Sequence, residues 1–220
     1  MRRSGKRCWG ALTLCAALMF MPSGAQAQTG TIEGTVTLES LPPRRTASRY
    51  PGTGAASEQV QPVPAVVYLV GSVAGSRAPT TSVQMVQRDT AFAPAAVVLG
   101  VGGSVDFPNE DPFFHNVFSY SASQRFDLGR YPQGQSKTVD FTEAGVVSVF
   151  CEVHDKMRGV IIVTENPYHA VVSENGSFRI DGVPPGEHRV AFWSADHEAT
   201  EQTVTVVAGQ TARIEVELKR

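Results

Sequence analysis

The chain is poor in cysteine and lacks helical periodicity. Three of its 220 residues are cysteines, and two of these, Cys8 and Cys15, lie in an N-terminal segment that looks like a cleaved export signal. The mature chain then keeps Cys151 alone, which excludes an internal disulfide. No segment has a convincing helical pattern, and the longest apolar run is shorter than the roughly 20 residues of a membrane-spanning helix. We therefore expect no membrane span in the mature chain.

Residues 1–27 have the three parts of a secretory signal. These are a basic start, an apolar run and a small-residue cleavage site, formed by Arg2, Arg3, Lys6 and Arg7, by residues 11–21, and by Ala25-Gln26-Ala27. We expect cleavage after Ala27 and export to the periplasm, with the extracellular space as the alternative destination. In such an oxidising compartment a lone cysteine is a liability unless its sulfur is occupied, and a metal ion is the natural occupant.

The charge balance argues against a nucleic-acid partner. Residues 1–27 carry four of the 19 Lys and Arg and none of the 21 Asp and Glu, so the mature 193 residues carry 15 against 21, a formal charge of −6. This balance fits a partner with a basic docking surface, or solubility alone. A chain of this length can form one or two domains.

Strand periodicity runs through most of the chain. Apolar and polar residues alternate at 32–38, 204–206 and 214–218, and turn signals such as Asn175-Gly176 recur at short intervals. The pattern predicts an all-β fold of two sandwiches.

Two segments break this pattern. Residues 40–64 are rich in Pro, Arg, Ser, Gly and Ala without a period, and we expect a mobile loop there. Its side chains Arg44, Arg45, Arg49 and Tyr50 could form a docking patch or belong to a solvated loop, and we favour the solvated loop. A second stretch, from Gly71 to Pro79, has the composition of a linker, and we place the linker at 73–82.

Four side chains carry the donor atoms of a copper site. They are His115 and, within seven residues, Cys151, His154 and Met157. A thiolate suits Cu(I), imidazole suits both oxidation states, and a long, weak thioether bond completes the arrangement typical of blue copper. Accidental packing is one alternative. Structural zinc is another, but it takes four Cys or His ligands and a thioether is a poor one.

The order of these motifs resembles the cupredoxins, above all the small single-copper proteins of the plastocyanin and amicyanin type. The resemblance covers residues 83–165 and rests on Phe92-Ala93-Pro94, residues 102–109, His115-Asn116-Val117 and Cys151…His154…Met157. It implies a Greek-key sandwich or barrel with one copper ion bound by His115, Cys151, His154 and Met157.

The same resemblance implies roles for the neighbours of these ligands. Asn116 would tie the His115 strand to the cysteine loop and donate hydrogen bonds near the sulfur, contacts that tune the reduction potential. The family often has Ser or Thr after the cysteine, where this chain has Glu152. Pro112, Phe113 and Phe114 would form an apolar docking patch.

We expect electron transfer rather than enzymatic activity. Enzymes built on this fold add further copper ligands, usually histidines in closely spaced pairs. The remaining histidines, His169, His188 and His197, are not close to one another, and we interpret each as a surface or strand-edge residue. One-electron transfer between redox partners of the cytochrome, dehydrogenase or oxidase type is therefore the first hypothesis. Copper carriage or storage is the second, and a structural or glycan-binding β-sandwich protein is the third.

Residues 166–220 contain a second family pattern. The stretch from Ala170 to Val190 resembles the transthyretin-like domain of carboxypeptidase regulatory regions, a β-sandwich grouped with carbohydrate-binding-like folds. This resemblance implies a fold but no ligand. Phe192 and Trp193 lie on opposite faces of one strand, so at most one is exposed, and we favour a scaffold role over glycan binding.

Residues 28–72 have two possible places. Residues 30–36 and 64–70 follow the transthyretin-like order of Gly-x-x-x-Gly-x-Val and then a short apolar strand, which would make them the opening strands of the second unit. The copper domain would then be inserted into a surface connection, where insertions are tolerated. The alternative is a tandem order, with the first strand belonging to the cupredoxin-like unit; we favour insertion.

Overall fold

A computed structural model describes residues 28–40 and 60–220. The predicted signal segment 1–27 and the side chains of Arg44, Arg45, Arg49 and Tyr50 lie outside the described residues. In the described ranges no helix is long and apolar enough to cross a membrane.

The prediction of an all-β fold is confirmed, since every regular element of the described chain is a strand. In chain order the strands are β1 (Gly30–Leu38), β2 (Val66–Leu69), β3 (Ser82–Gln84), β4 (Val86–Arg88), β5 (Ala91–Ala93), β6 (Ala96–Gly100), β7 (Ser104–Pro108), β8 (Phe118–Tyr120), β9 (Arg125–Asp127), β10 (Ser136–Asp140), β11 (Gly145–Phe150), β12 (Arg158–Thr164), β13 (His169–Val171), β14 (Ser177–Val183), β15 (Gly186–Trp193), β16 (Thr200–Val206) and β17 (Thr211–Leu218).

Strands β3 to β12 form one unit, here named the ligand unit because it contains all four predicted ligands. One sheet has the order β10-β7-β3 and the other β6-β12-β11-β8-β9, while β4 and β5 form a separate hairpin. Along each strand, successive side chains point alternately towards the core and away from it, as strand geometry requires. Buried aromatic and branched side chains fill the space between the sheets, among them Phe92, Phe107, Phe141, Val149 and Ile161.

The second unit combines strands from both ends of the described chain. Its sheets have the orders β14-β1-β17 and β13-β2-β15-β16, so β1 and β2 pair with strands that follow the ligand unit in sequence. β1 is antiparallel to β14 and parallel to β17. Gly34 in β1 lies so close to β17 that an added Cβ would stand 1.8 Å from the carbonyl oxygen of Ile214, which explains why this strand position is a glycine.

An apolar cluster joins the two units. Val66 of β2, Val160 and Ile162 of β12 are fully buried in it, and Trp193 of β15 packs against it. Full burial of each branched side chain contributes about 1.5–3 kcal/mol, an upper estimate. A partly exposed ion pair contributes about 0–1 kcal/mol. Apolar burial therefore dominates this interface, although Arg158 and Asp196 also form a salt bridge across it.

Two observations at this interface bear on the sequence analysis. Gln61, near the C-terminal end of the predicted mobile loop 40–64, is hydrogen-bonded by both backbone and side chain to the ligand unit. Of the two aromatic residues considered for glycan binding, Phe192 is fully buried and Trp193 is half-buried against the ligand unit. At most one of the two rings is therefore partly exposed, as the alternation along the strand predicts.

We predict that the second unit needs its N-terminal strands. Residues 166–220 alone should be unfolded, because they lack β1 and β2 and would expose the apolar edges that these strands cover. Addition of residues 28–72 should restore β structure, and residues 80–165 alone should fold. Circular dichroism and urea unfolding of the three fragments provide the measurement. A fragment 166–220 that folds cooperatively without the N-terminal strands would contradict the insertion.

Candidate metal centre

Three of the predicted ligands lie in the connection between β11 and β12. These strands pair in register up to Phe150 and Arg158, so residues 151–157 form a seven-residue loop. The loop is closed by hydrogen bonds from the Cys151 amide to the Met157 carbonyl (3.3 Å) and from the Met157 amide to the His154 carbonyl (3.0 Å). Cys151 and Met157 are therefore brought together by strand pairing.

His115 comes from a separate segment between β7 and β8. Its amide donates to the carbonyl of Tyr131 at 3.2 Å, and the amide of Tyr131 donates back to the carbonyl of His115 at 2.8 Å. The Asn109 side chain donates to the carbonyls of Phe113 and Tyr131 at 2.9 and 3.0 Å. These bonds hold the His115 backbone in place against the cysteine loop.

The donor atoms converge. His115 Nδ1 lies 3.5 Å from Cys151 Sγ and 3.2 Å from His154 Nδ1, and in the described residues this is the one cluster of three or more His, Cys, Asp or Glu side chains that could hold a metal. His115 is 0%, Cys151 3% and Met157 1% exposed. Met157 follows as the buried last residue of the same loop.

The spacing suits a bound metal ion. A metal about 2.0–2.1 Å from each imidazole nitrogen and about 2.3 Å from a thiolate, with near-tetrahedral angles, separates its ligand atoms by about 3.3–3.6 Å. The two separations from His115 Nδ1, 3.2 and 3.5 Å, are close to these values, and all three ligand atoms lie within 4.8 Å of one another. The residues therefore fit a soft or borderline ion, and the thiolate and thioether favour copper among such ions.

A buried carboxylate orients His115. Asp111 Oδ2 lies 2.7 Å from His115 Nε2, and the two side chains are 6% and 0% exposed. An ionised carboxylate can only accept, so Nε2 carries the proton and Nδ1 is left with its lone pair directed at Cys151 and His154. Asp111 thus selects the tautomer that a metal at this site requires.

Asp111 is in turn held by the turn between β4 and β5. The amide of Asp89 donates to Oδ1 at 2.7 Å and the amide of Thr90 to Oδ2 at 3.0 Å. Both turn residues have positive φ, 55° and 58°, as the commonest two-residue hairpin turn requires. Burial raises the pKa of the Asp111 carboxyl, but the hydrogen bonds from Thr90, His115 and Asp89 outweigh it, and the pKa lies below its ordinary value.

Sequence reasoning missed this carboxylate. The motif Asn109-Glu110-Asp111-Pro112 is typical of a turn. A turn motif does not indicate which imidazole the aspartate contacts. The one available signal is the four-residue spacing from Asp111 to His115.

Asn116 links the two ligand segments by a hydrogen bond. Its Oδ1 accepts from the amide of Glu152 at 2.7 Å. Because the donor is a backbone amide, the contact does not depend on a Ser or Thr at position 152. Asn116 itself is 1% exposed, while Glu152 is exposed, so the bond is partly buried.

Phe113 covers the two imidazoles at the surface. Its ring centroid lies 5.1 Å from that of His115 and 5.3 Å from that of His154. Phe113 is 39% and Phe114 55% exposed, and Pro112 is exposed as well. These three exposed residues form an apolar patch, which contacts His154, the half-buried member of the histidine pair, through the Phe113 ring.

The other histidines stand apart from this cluster. His188 Nε2 contacts the carbonyl oxygen of Pro184 at 2.7 Å, and His197 contacts Ser194 and the carbonyl of Glu39. Burial lowers the pKa of His169, which lies on β13. All three belong to the second unit.

Comparison with known proteins gives one match for the C-terminal part of the chain. Residues 157–219 match the family model of the carboxypeptidase regulatory-like domain, which confirms the resemblance found in the sequence. The match begins at Met157 and includes β12, a strand of the ligand unit. No curated protein was found to match the chain.

Solved structures similar to the chain include copper proteins. A purple cupredoxin from Nitrosopumilus maritimus has 22% identity over 37% of this chain and 99% of its own, with a TM-score of 0.35. Amicyanin from Paracoccus versutus has 21% identity over 44% and 96%, with a TM-score of 0.35. A copper-containing nitrite reductase from Thermus scotoductus has 20% identity over 59% and 28%, with a TM-score of 0.37.

We predict that Asp111→Asn destabilises the metal-free protein by about 1–3 kcal/mol at neutral pH, because a buried charged acceptor of three hydrogen bonds is lost. The folded pKa of Asp111 is lowered from its ordinary value of 3.8, so its contribution is present above that value and is lost as the pH falls through the folded pKa. Urea unfolding of both proteins should therefore show a difference at pH 7 that shrinks below the ordinary pKa. A difference independent of pH would contradict this account.

Proposed function

We propose that the chain is an exported, periplasmic type 1 copper protein that transfers single electrons between redox proteins. The observation that carries the proposal is the convergence of one nitrogen from each of His115 and His154 and the buried Cys151 sulfur within 4.8 Å of one another, with buried Met157 closing the same loop. One copper ion would be held by His115, Cys151, His154 and Met157. Bound there, it would supply a one-electron Cu(I)/Cu(II) couple.

The surrounding residues favour electron transfer over copper carriage. Asp111 and Asn116 hold the ligand segments through hydrogen bonds of 2.7 Å, and His115 and Cys151 are almost fully buried. A site organised in this way changes little between oxidation states. A carrier must open its site to hand on the ion, and the buried ligands oppose that.

The partner would approach the apolar patch of Pro112, Phe113 and Phe114. His154 is the half-buried ligand beside this patch, so electrons would enter or leave through its imidazole. Near the site Arg88 pairs with Glu110 and Arg130 with Glu152, while the charged residues Asp155 and Lys156 directly follow His154 in sequence. We infer a redox partner of the cytochrome, dehydrogenase or oxidase type with a complementary apolar docking surface.

We predict an intense visible thiolate-to-copper charge-transfer band and one copper per chain for the Cu(II) form. Cys151→Ser should abolish this band, because no other cysteine is present after the predicted signal segment. Copper titration followed by absorption and by metal analysis provides the measurement. Colourless Cu(II) binding by the wild type, or preferential binding of zinc, would contradict the type 1 assignment.

We also predict that Met157 tunes the metal while His115 holds it. Met157→Leu should keep copper and raise the reduction potential, because only a long, weak bond is lost. His115→Ala should lose most of the native site, because a buried strong ligand is removed. Voltammetry and bound-copper analysis distinguish the two variants. Equal copper loss from both would show that these ligand roles are wrong.

A further inference from the structure

The segment that carries Met157 is contacted from outside the ligand unit. Gln61, five residues before β2, donates its amide to the carbonyl of Lys156 at 3.0 Å, and its own carbonyl accepts from Arg158 Nε at 3.0 Å. Lys156 and Arg158 flank Met157 in sequence. A residue of the connection to the second unit therefore contacts the chain on both sides of the thioether ligand.

The Gln61 side chain strengthens this contact. Its Oε1 accepts from the amides of Phe92 (3.0 Å) and Arg158 (3.3 Å), and its Nε2 donates to the carbonyl of Phe92 at 2.6 Å. The side-chain amide thus bridges β5 and the first residue of β12. In the order of the chain, Gln61 belongs to neither strand.

Arg158 carries the contact further into the second unit. Its Nη1 and Nη2 donate to Oδ1 and Oδ2 of Asp196 at 2.7 and 2.5 Å. Such a two-point pair fixes orientation as well as distance. Asp196 follows β15, and the Arg158 hydrogen bonds lower the pKa of its carboxyl. The ion pair remains formed at neutral pH.

We propose that Gln61 and Asp196 position Met157 at the copper site, so that the second unit tunes the axial interaction. The inference rests on the proposed copper function. Because a thioether would bind copper only through a long, weak bond, the metal would not impose the position of the sulfur, and the restraint on the backbone would decide it. Gln61 holds residues 156 and 158, and Asp196 holds the side chain of Arg158.

The positioning role is separable from general stability. The apolar cluster of Val66, Val160, Ile162 and Trp193 joins the units. None of these four residues is a partner in the hydrogen bonds among Gln61, Arg158 and Asp196. Loss of Gln61 or Asp196 side-chain contacts should therefore loosen the Met157 segment while the two units stay together.

The test compares Gln61→Ala and Asp196→Asn with the wild type. Asp181→Asn is the matched control. The Asp181 carboxylate accepts hydrogen bonds from Arg179 at 3.0 Å on β14 of the second unit, away from residues 151–157. In the metal-free protein, amide hydrogen exchange of residues 152–157 should be about five-fold faster for each hydrogen bond of about 1 kcal/mol lost. In Gln61→Ala and Asp196→Asn, amide exchange in β14 and β17 should remain at the wild-type rate.

In the copper(II) protein, both variants should change the intensity ratio of the two thiolate-to-copper charge-transfer bands and the rhombicity of the EPR spectrum. Asp181→Asn should leave both at wild-type values. If the wild type is blue and the variants keep wild-type amide exchange or wild-type spectra, the positioning role is overturned. If Gln61→Ala does not fold, Asp196→Asn alone decides the test. A colourless wild type would instead contradict the proposed copper function.

Discussion

The antiparallel pairing of β11 with β12 is the constraint on which the metal centre depends. Its register leaves seven residues to reverse the chain, and the backbone bond from Cys151 to Met157 closes the loop. Val147 and Val149 face the core at 0% exposure, so a one-residue slip would expose that apolar face and turn the cysteine away from the site. Burial of a strand face therefore also fixes the positions of the ligands.

The second half of the centre is held by polar contacts in a dry environment. The Asp111 carboxylate meets the proton of His115 Nε2, and backbone amides of a left-handed turn complete its hydrogen bonds. An unpaired charge at this depth would be costly, whereas a fully hydrogen-bonded one orients its partner. The imidazole is thus held in one orientation by the protein itself.

The two units are connected by shared packing as well as by the chain that links them. β1 and β2 complete sheets whose other strands follow the ligand unit, and the connection into β2 contacts the Met157 segment through Gln61. Trp193, a possible sugar-stacking residue in sequence, is used in packing between the units. Contacts from the second unit and its connection therefore reach the edge of the candidate metal centre.

Local patterns in the sequence predicted the four candidate ligands, the all-β class and the C-terminal domain resemblance, because donor type, loop spacing and strand alternation are all encoded within a few residues. The tertiary structure alone decided which groups hold the ligands. Gln61 lies 97 residues from Arg158, Asp196 lies 38 residues from it, and Asp89 lies 22 from Asp111. Hydrogen bonds between residues so far apart leave no periodic trace. They exist only because strand pairing and apolar burial bring the segments together.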